Sequence, residues 1–123
     1  MNIENINPLS PSTEKLTNLL DHFQNGRFIE AEVLAKSITK EFPSHQFAWK
    51  ILGAVFKQTG RINESIIFMH RSVELDPQDA EAHNNLGVVY QELGRLKEAE
   101  ASYIKATILQ ARYIEAYNNL GNV

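Results

Sequence analysis

The sequence predicts an all-α protein made of stacked helix pairs, and three observations lead to this prediction. First, its glycines form two series in which the spacing is always 34 residues: Gly26, Gly60, Gly94 and Gly53, Gly87, Gly121. Second, Pro43 and Pro77 keep the same spacing. Third, the apolar residues between these positions recur at helical intervals. A repeat of this length is typical of helix-turn-helix units that stack into an α-α superhelix, or solenoid.

The 34-residue period divides the chain into a tail and four units. We assign residues 1–11 to an N-terminal tail, 12–45 to a divergent first unit, 46–79 to the second, 80–113 to the third and 114–123 to a truncated fourth. The fourth unit has room for its first helix only. The predicted architecture is therefore three helix pairs followed by one terminal half-repeat helix.

The first unit has the weakest pattern. We expect its first helix to start with Ser10 as the N-cap and Pro11 at the first helical position. Gly26 should end that helix, because glycine adopts left-handed dihedral angles at little cost. The second helix, within FIEAEVLAKSITKEF, should end before Pro43, because proline cannot continue a helix.

The second and third units repeat this plan more clearly. Their first helices lie in FAWKILGAVFKQT and AEAHNNLGVVYQEL, and their second helices in INESIIFMHRSVEL and LKEAEASYIKATIL. Gly53 and Gly87 fall inside the first helices, where glycine costs about 1 kcal/mol relative to alanine. Their recurrence indicates a packing role. We expect each glycine to admit the facing helix, whose small residues Ser65 and Ala99, like Ala31 in the first unit, would be the contacts.

The junction between the third and fourth units lacks a proline. Gln110 and Ala111 stand where the second unit has Asp76 and Pro77, and both favour a helix. The sequence thus allows either the usual turn or one helix from about Leu96 to the end of the chain. A continuous helix would expose apolar side chains that a second copy could cover by exchange of this segment, giving a homodimer. The residues that we assign to such self-association are Ala111, Tyr113, Tyr117, Leu120 and Val123.

These positions resemble the tetratricopeptide repeat, whose unit has the pattern W-x2-L-G-x2-Y followed by A, an aromatic residue, A and P. The second unit fills it with Trp49, Leu52, Gly53, Phe56, Ser65, Met69, Ser72 and Pro77. The third unit has His83, Leu86, Gly87, Tyr90, Ala99, Tyr103 and Ala106, with Ala111 in place of proline. The first unit departs most, with Lys15, Asn18 and Leu19 at the W, L and G positions. The segment from Asn119 to Asn122 is similar to arrays of bacterial O-linked N-acetylglucosamine transferase type.

The resemblance implies a right-handed superhelix whose first helices line a concave groove for a protein or peptide. By repeat position, the groove of the second unit would contain Phe47, Lys50, Ile51, Ala54, Lys57 and Gln58. The third unit would contribute Glu81, Asn84, Asn85, Val88, Gln91 and Glu92, and the fourth Glu115, Asn118, Asn119 and Asn122. The polar candidates for peptide binding are Lys50, Lys57, Asn84, Asn85, Asn118, Asn119 and Asn122.

Asparagine is the most informative residue type in this predicted groove. Its amide both donates and accepts, so it can bridge the N–H and C=O groups of an extended peptide without contacting its side chains. Asn85 and Asn119 occupy one repeat position and would form a ladder; the alternative is that both are solvated residues on an open face. The two-carboxylate clamp of chaperone-tail-binding relatives is disfavoured, because Ala54, Glu115 and Asn119 do not fit it.

Composition excludes several other classes of function. The net charge of −3 and the scattered basic residues argue against nucleic-acid binding. No apolar run approaches the roughly 18 residues of a membrane span. Without cysteine there is neither a disulfide nor a thiolate zinc site, which is compatible with the cytoplasmic location that we expect. The four histidines share no metal-ligand spacing, and no catalytic motif occurs, so we expect no cofactor and no enzyme activity.

The sequence leaves three functions open. The first is a protein-interaction scaffold that binds an extended peptide or partner segment in the concave groove. The second is an N-terminal substrate-presenting or assembly arm of a larger enzyme, such as a glycosyltransferase. The third is a self-association module that exchanges its C-terminal helix.

Overall fold

Six α-helices follow one another in the structure, a computed structural model that describes residues 9–111, 118, 120 and 121. They are α1 (Thr13–Gln24), α2 (Phe28–Glu41), α3 (Gln46–Gln58), α4 (Ile62–Leu75), α5 (Ala80–Glu92) and α6 (Leu96–Leu109). No strand occurs in this described part of the chain. Consecutive helices pack together, and α3 also contacts α1 and α5. The predicted all-α stack of three helix pairs is therefore confirmed.

The turn inside each pair is closed by glycine. Gly26, Gly60 and Gly94 have φ angles of 73°, 81° and 74°, which side chains disfavour. The residue after each glycine donates its N–H to a carbonyl five residues back, as when the N–H of Arg61 reaches the oxygen of Phe56 at 2.8 Å. This is the Schellman arrangement, and it satisfies carbonyls that the end of a helix leaves without partners. The predicted glycine stops are confirmed.

The first helix starts later than predicted. It begins at Thr13, and its N-cap is Ser12 rather than Ser10. The hydroxyl of Ser12 accepts the N–H of Lys15 at 3.2 Å, the bond expected of an N-cap. Pro11 is buried before the helix instead of occupying its first position. Two serines flank this proline, and the serine that accepts the N–H three residues ahead is the one after it.

The turns between pairs are held by a ring nitrogen at one repeat position. The Trp49 indole donates to the carbonyl oxygen of Pro43 at 2.9 Å. In the next unit, Nε2 of His83 lies 3.0 Å from the carbonyl oxygen of Pro77. Each ring thus joins the first turn of a helix to the proline that ends the preceding pair.

The glycines inside α3 and α5 lie beneath large side chains of the facing helices. A Cβ atom at Gly53 would be 2.7 Å from Cγ of Met69, and one at Gly87 would be 2.5 Å from Cε1 of Tyr103. Close approach was predicted, but the partners were not: the expected contacts, Ser65 and Ala99, are not among the nearest atoms. The space left by glycine receives the large residue one turn further along the second helix.

The core divides into two clusters of buried side chains. The first joins α1, α2 and α3 and contains Leu19, Ala31, Ala35, Ile38, Phe42, Ala48, Ile51, Leu52, Val55 and Phe56. The second joins α4, α5 and α6 and contains Met69, Leu86, Val89, Tyr90, Ala99 and Tyr103. On α4, Phe68 packs against the first cluster and Met69 belongs to the second. This helix therefore links the two halves of the core.

The junction after the third unit is a turn in this structure. Helix α6 ends at Leu109, and Gln110 has extended backbone with φ −141° and ψ 93°. A single helix through Gln110 therefore does not form here. Beyond the turn, Leu120 is helical and packs against the second core cluster. Tyr113, Tyr117 and Val123, predicted for self-association, lie outside the described residues.

Candidate functional site

A groove opens along one face of the first helices, α1, α3 and α5. It encloses a cavity of about 380 Å³, whose walls come mainly from these three helices. The lining residues are Leu20, Phe23, Gln24, Phe47, Lys50, Ile51, Ala54, Lys57, Gln58, Met69, Glu81, Asn85 and Val88. All six positions expected in the second unit line this cavity. Met69 was not expected, and it reaches the groove because Gly53 leaves room for it.

The part of the groove between α1 and α3 is apolar. Leu20 and Phe23 come from α1, and Phe47, Ile51 and Ala54 face them from α3. Ile51 is buried, whereas Phe23 and Phe47 are partly exposed. An apolar side chain that entered here would remove its own surface and that of these rings from water, which is the main driving force for such contacts.

The part between α3 and α5 contains ion pairs. Lys50 Nζ lies 2.9 Å from Oδ2 of Asp79 and 2.9 Å from Oε1 of Glu81. Asp79 is the N-cap of α5, and its Oδ1 accepts the N–H of Ala82 at 3.1 Å. Gln46 donates to the same Oδ2 at 2.8 Å. Lys50 is therefore part of a network that joins two repeat units.

The protonation of this network follows from burial and hydrogen bonding. Burial lowers the pKa of Lys50, but the hydrogen bonds to Asp79 and Glu81 outweigh it, so the pKa lies above its ordinary value. Burial raises the pKa of Asp79, but the hydrogen bonds from Lys50, Ala82 and Gln46 outweigh this effect, so the pKa lies below its ordinary value. Both groups are therefore charged near neutral pH.

The second groove lysine is also paired. Lys57 Nζ lies 3.4 Å from Oε1 of Glu92 on α5. The two lysines predicted as peptide contacts thus both face carboxylates of the next first helix. This pairing was not predicted, although both glutamates belong to the next unit of the repeat. The signal was available, because Glu81 and Glu92 stood among the expected groove residues.

The predicted asparagines do not share one environment. Asn85 lines the cavity. Asn84, only 1% exposed, is buried among the helices and does not face the groove. Asn118 is helical and exposed. Asn119, Asn122 and Glu115 lie outside the described residues, so the ladder from Asn85 to Asn119 stays a prediction.

The described residues contain neither a candidate metal site nor a candidate membrane-spanning helix. No group of three or more His, Asp or Glu side chains there is placed to hold a metal ion. No helix among those described has both the length and the apolar character that crossing a bilayer would need.

Two segments match family models of the tetratricopeptide repeat, residues 48–79 and residues 71–101. Residues 48–101 of the chain therefore match tetratricopeptide repeats. No curated protein sequence matches it. The similarity to transferase arrays stays a prediction.

Several solved structures resemble the stack of helix pairs, among them a tetratricopeptide repeat (TPR) domain. One is MamA, with a TM-score of 0.83 and 23% identity over 88% of this chain; the alignment spans 63% of MamA. Another is the first TPR of Spaghetti (RPAP3) bound to the HSP90 peptide SRMEEVD, with a TM-score of 0.83 and 18% identity, covering 94% of each chain. A third is the Yersinia enterocolitica type III secretion translocator chaperone SycD in an alternative dimer, with a TM-score of 0.85 and 17% identity, covering 94% of this chain and 95% of that one. These likenesses establish the fold, an α-α superhelix of TPR type.

Proposed function

We propose that this protein is an interaction scaffold that binds an extended peptide or partner segment in the groove of its first helices. The observation that carries the proposal is the cavity itself, in which three consecutive first helices supply apolar walls and the amide of Asn85. Ligand sites combine apolar surface with a few polar groups in this way. The Spaghetti structure, which holds a peptide on the same fold, supports the proposal.

Each part of the groove has a role in this proposal. The apolar walls between α1 and α3 hold one side chain of the peptide. Asn85 offers a donor and an acceptor, and both suit a peptide backbone. Asn119 would extend this contact as predicted from the repeat, and Asn118 is the neighbouring exposed amide. Asn84 is left out, because it is buried.

The test uses uncharged, end-blocked peptides of about nine residues that carry one Phe or Leu, a length that can cross the three helices. Binding is measured by fluorescence anisotropy. In Ala54→Arg a long cation fills the groove, and we expect affinity to fall at least about tenfold. Ala101→Arg is the matched control, because Ala101 is exposed on α6 away from the cavity. Equal losses in the two variants, or no binding to the unmodified protein, would refute the proposal.

A second comparison tests the amide. Asn85→Ala should weaken binding about two- to tenfold, because one hydrogen bond is worth about 1 kcal/mol. Asn63→Ala is the control, since Asn63 is exposed on α4. The double variant with Asn119→Ala should lose more than Asn85→Ala alone if the two residues form a ladder. Unchanged affinity in all three variants would remove asparagine from the site.

Self-association through the C-terminal segment is a second candidate. It is favoured by the junction at Gln110 and Ala111, which lacks proline, and by Ile104 and Ile108, which are exposed on α6. It requires the extended Gln110 to become helical. If copies exchange this segment, light scattering will show a dimer that Ala111→Pro converts to a monomer. If they do not, both proteins will be monomers at every concentration, and this candidate falls.

The role of a substrate-presenting arm of a larger enzyme would use the same groove. A catalytic domain encoded in frame after Val123 would support that role. Binding of the peptides described above by the present chain alone would not distinguish it from a free-standing scaffold.

A further inference from the structure

The two members of each ion pair in the groove differ in their exposure to solvent. The side chain of Lys50 is 18% exposed, whereas that of its partner Glu81 is 59% exposed. The second pair has the same asymmetry: the side chain of Lys57 is 26% exposed and that of Glu92 is 43% exposed. In both pairs the lysine side chain is less exposed than the glutamate side chain. A ligand that approaches from solvent therefore meets carboxylates before it meets cations.

Lys50 is poorly placed to receive an acidic ligand. Two of its three N–H donors already point at Asp79 and Glu81. The side chain of Asp79 is only 17% exposed, so drawing Lys50 away would leave a largely buried carboxylate without its cation. Such a loss is costly, because an unpaired charge away from water lacks compensation. Lys50 therefore stays with Asp79 rather than pairing with a carboxylate of the ligand, because Asp79 would otherwise lose its cation.

The two sides of the groove have different chemistry. Leu20 and Phe23 make the α1 side apolar, and Glu81 makes the α5 side acidic at its exposed edge. Helices in contact lie about 8–10 Å apart. An extended chain advances about 3.3 Å per residue, so about three residues separate the apolar side from the acidic side.

We propose that the occupant of the groove is an extended segment with an apolar side chain between α1 and α3 and a basic side chain about three residues away, beside Glu81 at the exposed edge of α5. This inference rests on the proposed function and specifies the partner by its charge pattern. Charge complementarity carries it: the outward carboxylates attract a Lys or Arg side chain, and the sheltered, already paired lysines give an acidic segment nothing equivalent. The groove therefore selects against acidic segments.

The experiment varies one position of the end-blocked peptides of about nine residues. Each peptide keeps its Phe or Leu and carries Lys, Gln or Glu two, three or four residues to either side. We expect the Lys peptides to bind about two- to fivefold more tightly than the Gln peptides, as suits an exposed ion pair, and the Glu peptides to bind least. The preference should shrink at high salt, because screening weakens exposed charges most.

A variant assigns the preference to Glu81. Glu81→Gln should bring the Lys and Gln peptides to equal affinity while the Gln peptides keep theirs. Glu100→Gln is the matched control, because Glu100 is exposed on α6 outside the cavity. It should retain the full preference for Lys.

The outcomes separate this inference from the function on which it rests. If Gln peptides bind and Ala54→Arg prevents it, but Glu peptides bind as tightly as Lys peptides, the inference is wrong and the scaffold function stands. A Lys preference that survives Glu81→Gln also overturns it. If no peptide binds the unmodified protein, both proposals are wrong.

Discussion

A glycine inside a helix is tolerated in α5 because its missing side chain makes room for Tyr103. That ring is fully buried, and its hydroxyl donates to Oε1 of Gln91 at 2.6 Å, so it cannot turn aside without losing this bond. The cost of glycine, about 1 kcal/mol relative to alanine, is offset by the packing that it permits. At the residue scale, the repeat thus keeps Gly87 for steric reasons.

Gly87→Ala is predicted to destabilise the protein although alanine is the better helix former. The new Cβ would lie 2.5 Å from Cε1 and 2.6 Å from Cδ1 of Tyr103. Overpacking of this kind costs about 1–3 kcal/mol, which exceeds or cancels the gain in propensity. The control is Gly121→Ala, where no heavy atom lies within 4 Å of the new Cβ. Urea unfolding should rank it at or above the unmodified protein, and the same ranking for Gly87→Ala would contradict this account.

Acid sensitivity is predicted to reside partly in Glu32. Hydrogen bonds from Arg61 and Lys36 lower its pKa from 4.5 to about 2. A lowered pKa in the folded state means that the stabilisation is complete above pH 4.5 and is lost as pH falls towards 2. We expect Glu32→Gln to be less stable by about 1 kcal/mol at neutral pH, because the pair is partly exposed. This difference should vanish near pH 2 in denaturant titrations.

The control for this pH dependence is Glu30→Gln on the same helix, where the glutamate is exposed. An acid profile for Glu30→Gln like that of Glu32→Gln would attribute the effect to overall charge rather than to the bond with Arg61.

Individual contacts between side chains are what the sequence predicted least well. Arg27, Arg61 and Arg95 each follow a turn glycine at the 34-residue spacing, but this spacing does not show what they contact. In the structure, the guanidinium carbon of Arg61 lies 3.8 Å from the ring centroid of Phe56, and that of Arg95 lies 4.8 Å from the ring centroid of Tyr90. Both rings occupy one repeat position, so the pairing was encoded in the period. Predicting this pairing requires the direction in which the turn brings the arginine back onto the helix, and the sequence pattern does not give that direction.

At the element scale, the repeat predicts helix number and order better than helix ends. The turn glycines were sufficient to predict the C-terminal ends of α1, α3 and α5, because only glycine takes positive φ without strain. The start of α1 and the end of α6 depend on single local bonds, such as that from Lys15 N–H to Ser12 and that from Gln110 N–H to Ala106. Gln110 favours a helix, but helix propensity has a weaker influence than packing. The junction therefore forms a turn although its residues favour a helix.

The start of α5 depends on one carboxylate with two tasks. Asp79 caps the helix and also partners Lys50, so Asp79→Ala should cost about 2 kcal/mol, the sum of a lost cap and a lost charged bond. Asp79→Asn keeps the cap and should lose about half as much. Ser12→Ala is the matched control, because Ser12 caps α1 at an exposed site. It should cost about 0.5–1 kcal/mol in urea unfolding. Equal costs for Asp79→Ala and Ser12→Ala would show that the pair with Lys50 contributes nothing.

At the scale of the whole molecule, the sequence predicted the stack and most of the groove wall, because both follow from repeat position. It did not predict the charge balance of the groove. Repeat position places Lys50 and Glu81 on the first helices of successive units, but only the structure shows that they meet at 2.9 Å and that the lysine side chain is the less exposed of the two. In the predicted polar groove, both lysines are therefore already paired with carboxylates of the protein.

The division of the core into two clusters predicts uneven stability along the stack. In repeat proteins each unit contacts only its neighbours, so a local loss of packing is felt locally. Leu86→Ala removes a buried side chain from the second cluster, and Leu52→Ala removes one from the first. Each should cost about 2–5 kcal/mol.

Hydrogen exchange distinguishes local from global opening in these two variants. In Leu86→Ala the amides of α5 and α6 should lose protection while those of α2 and α3 keep most of theirs, and Leu52→Ala should show the reverse. Helix α4 should respond to both, because Phe68 packs on the first cluster and Met69 on the second. Uniform loss of protection across all six helices in both variants would show that the stack unfolds as one unit, with the contacts through α4 strong enough to couple its halves.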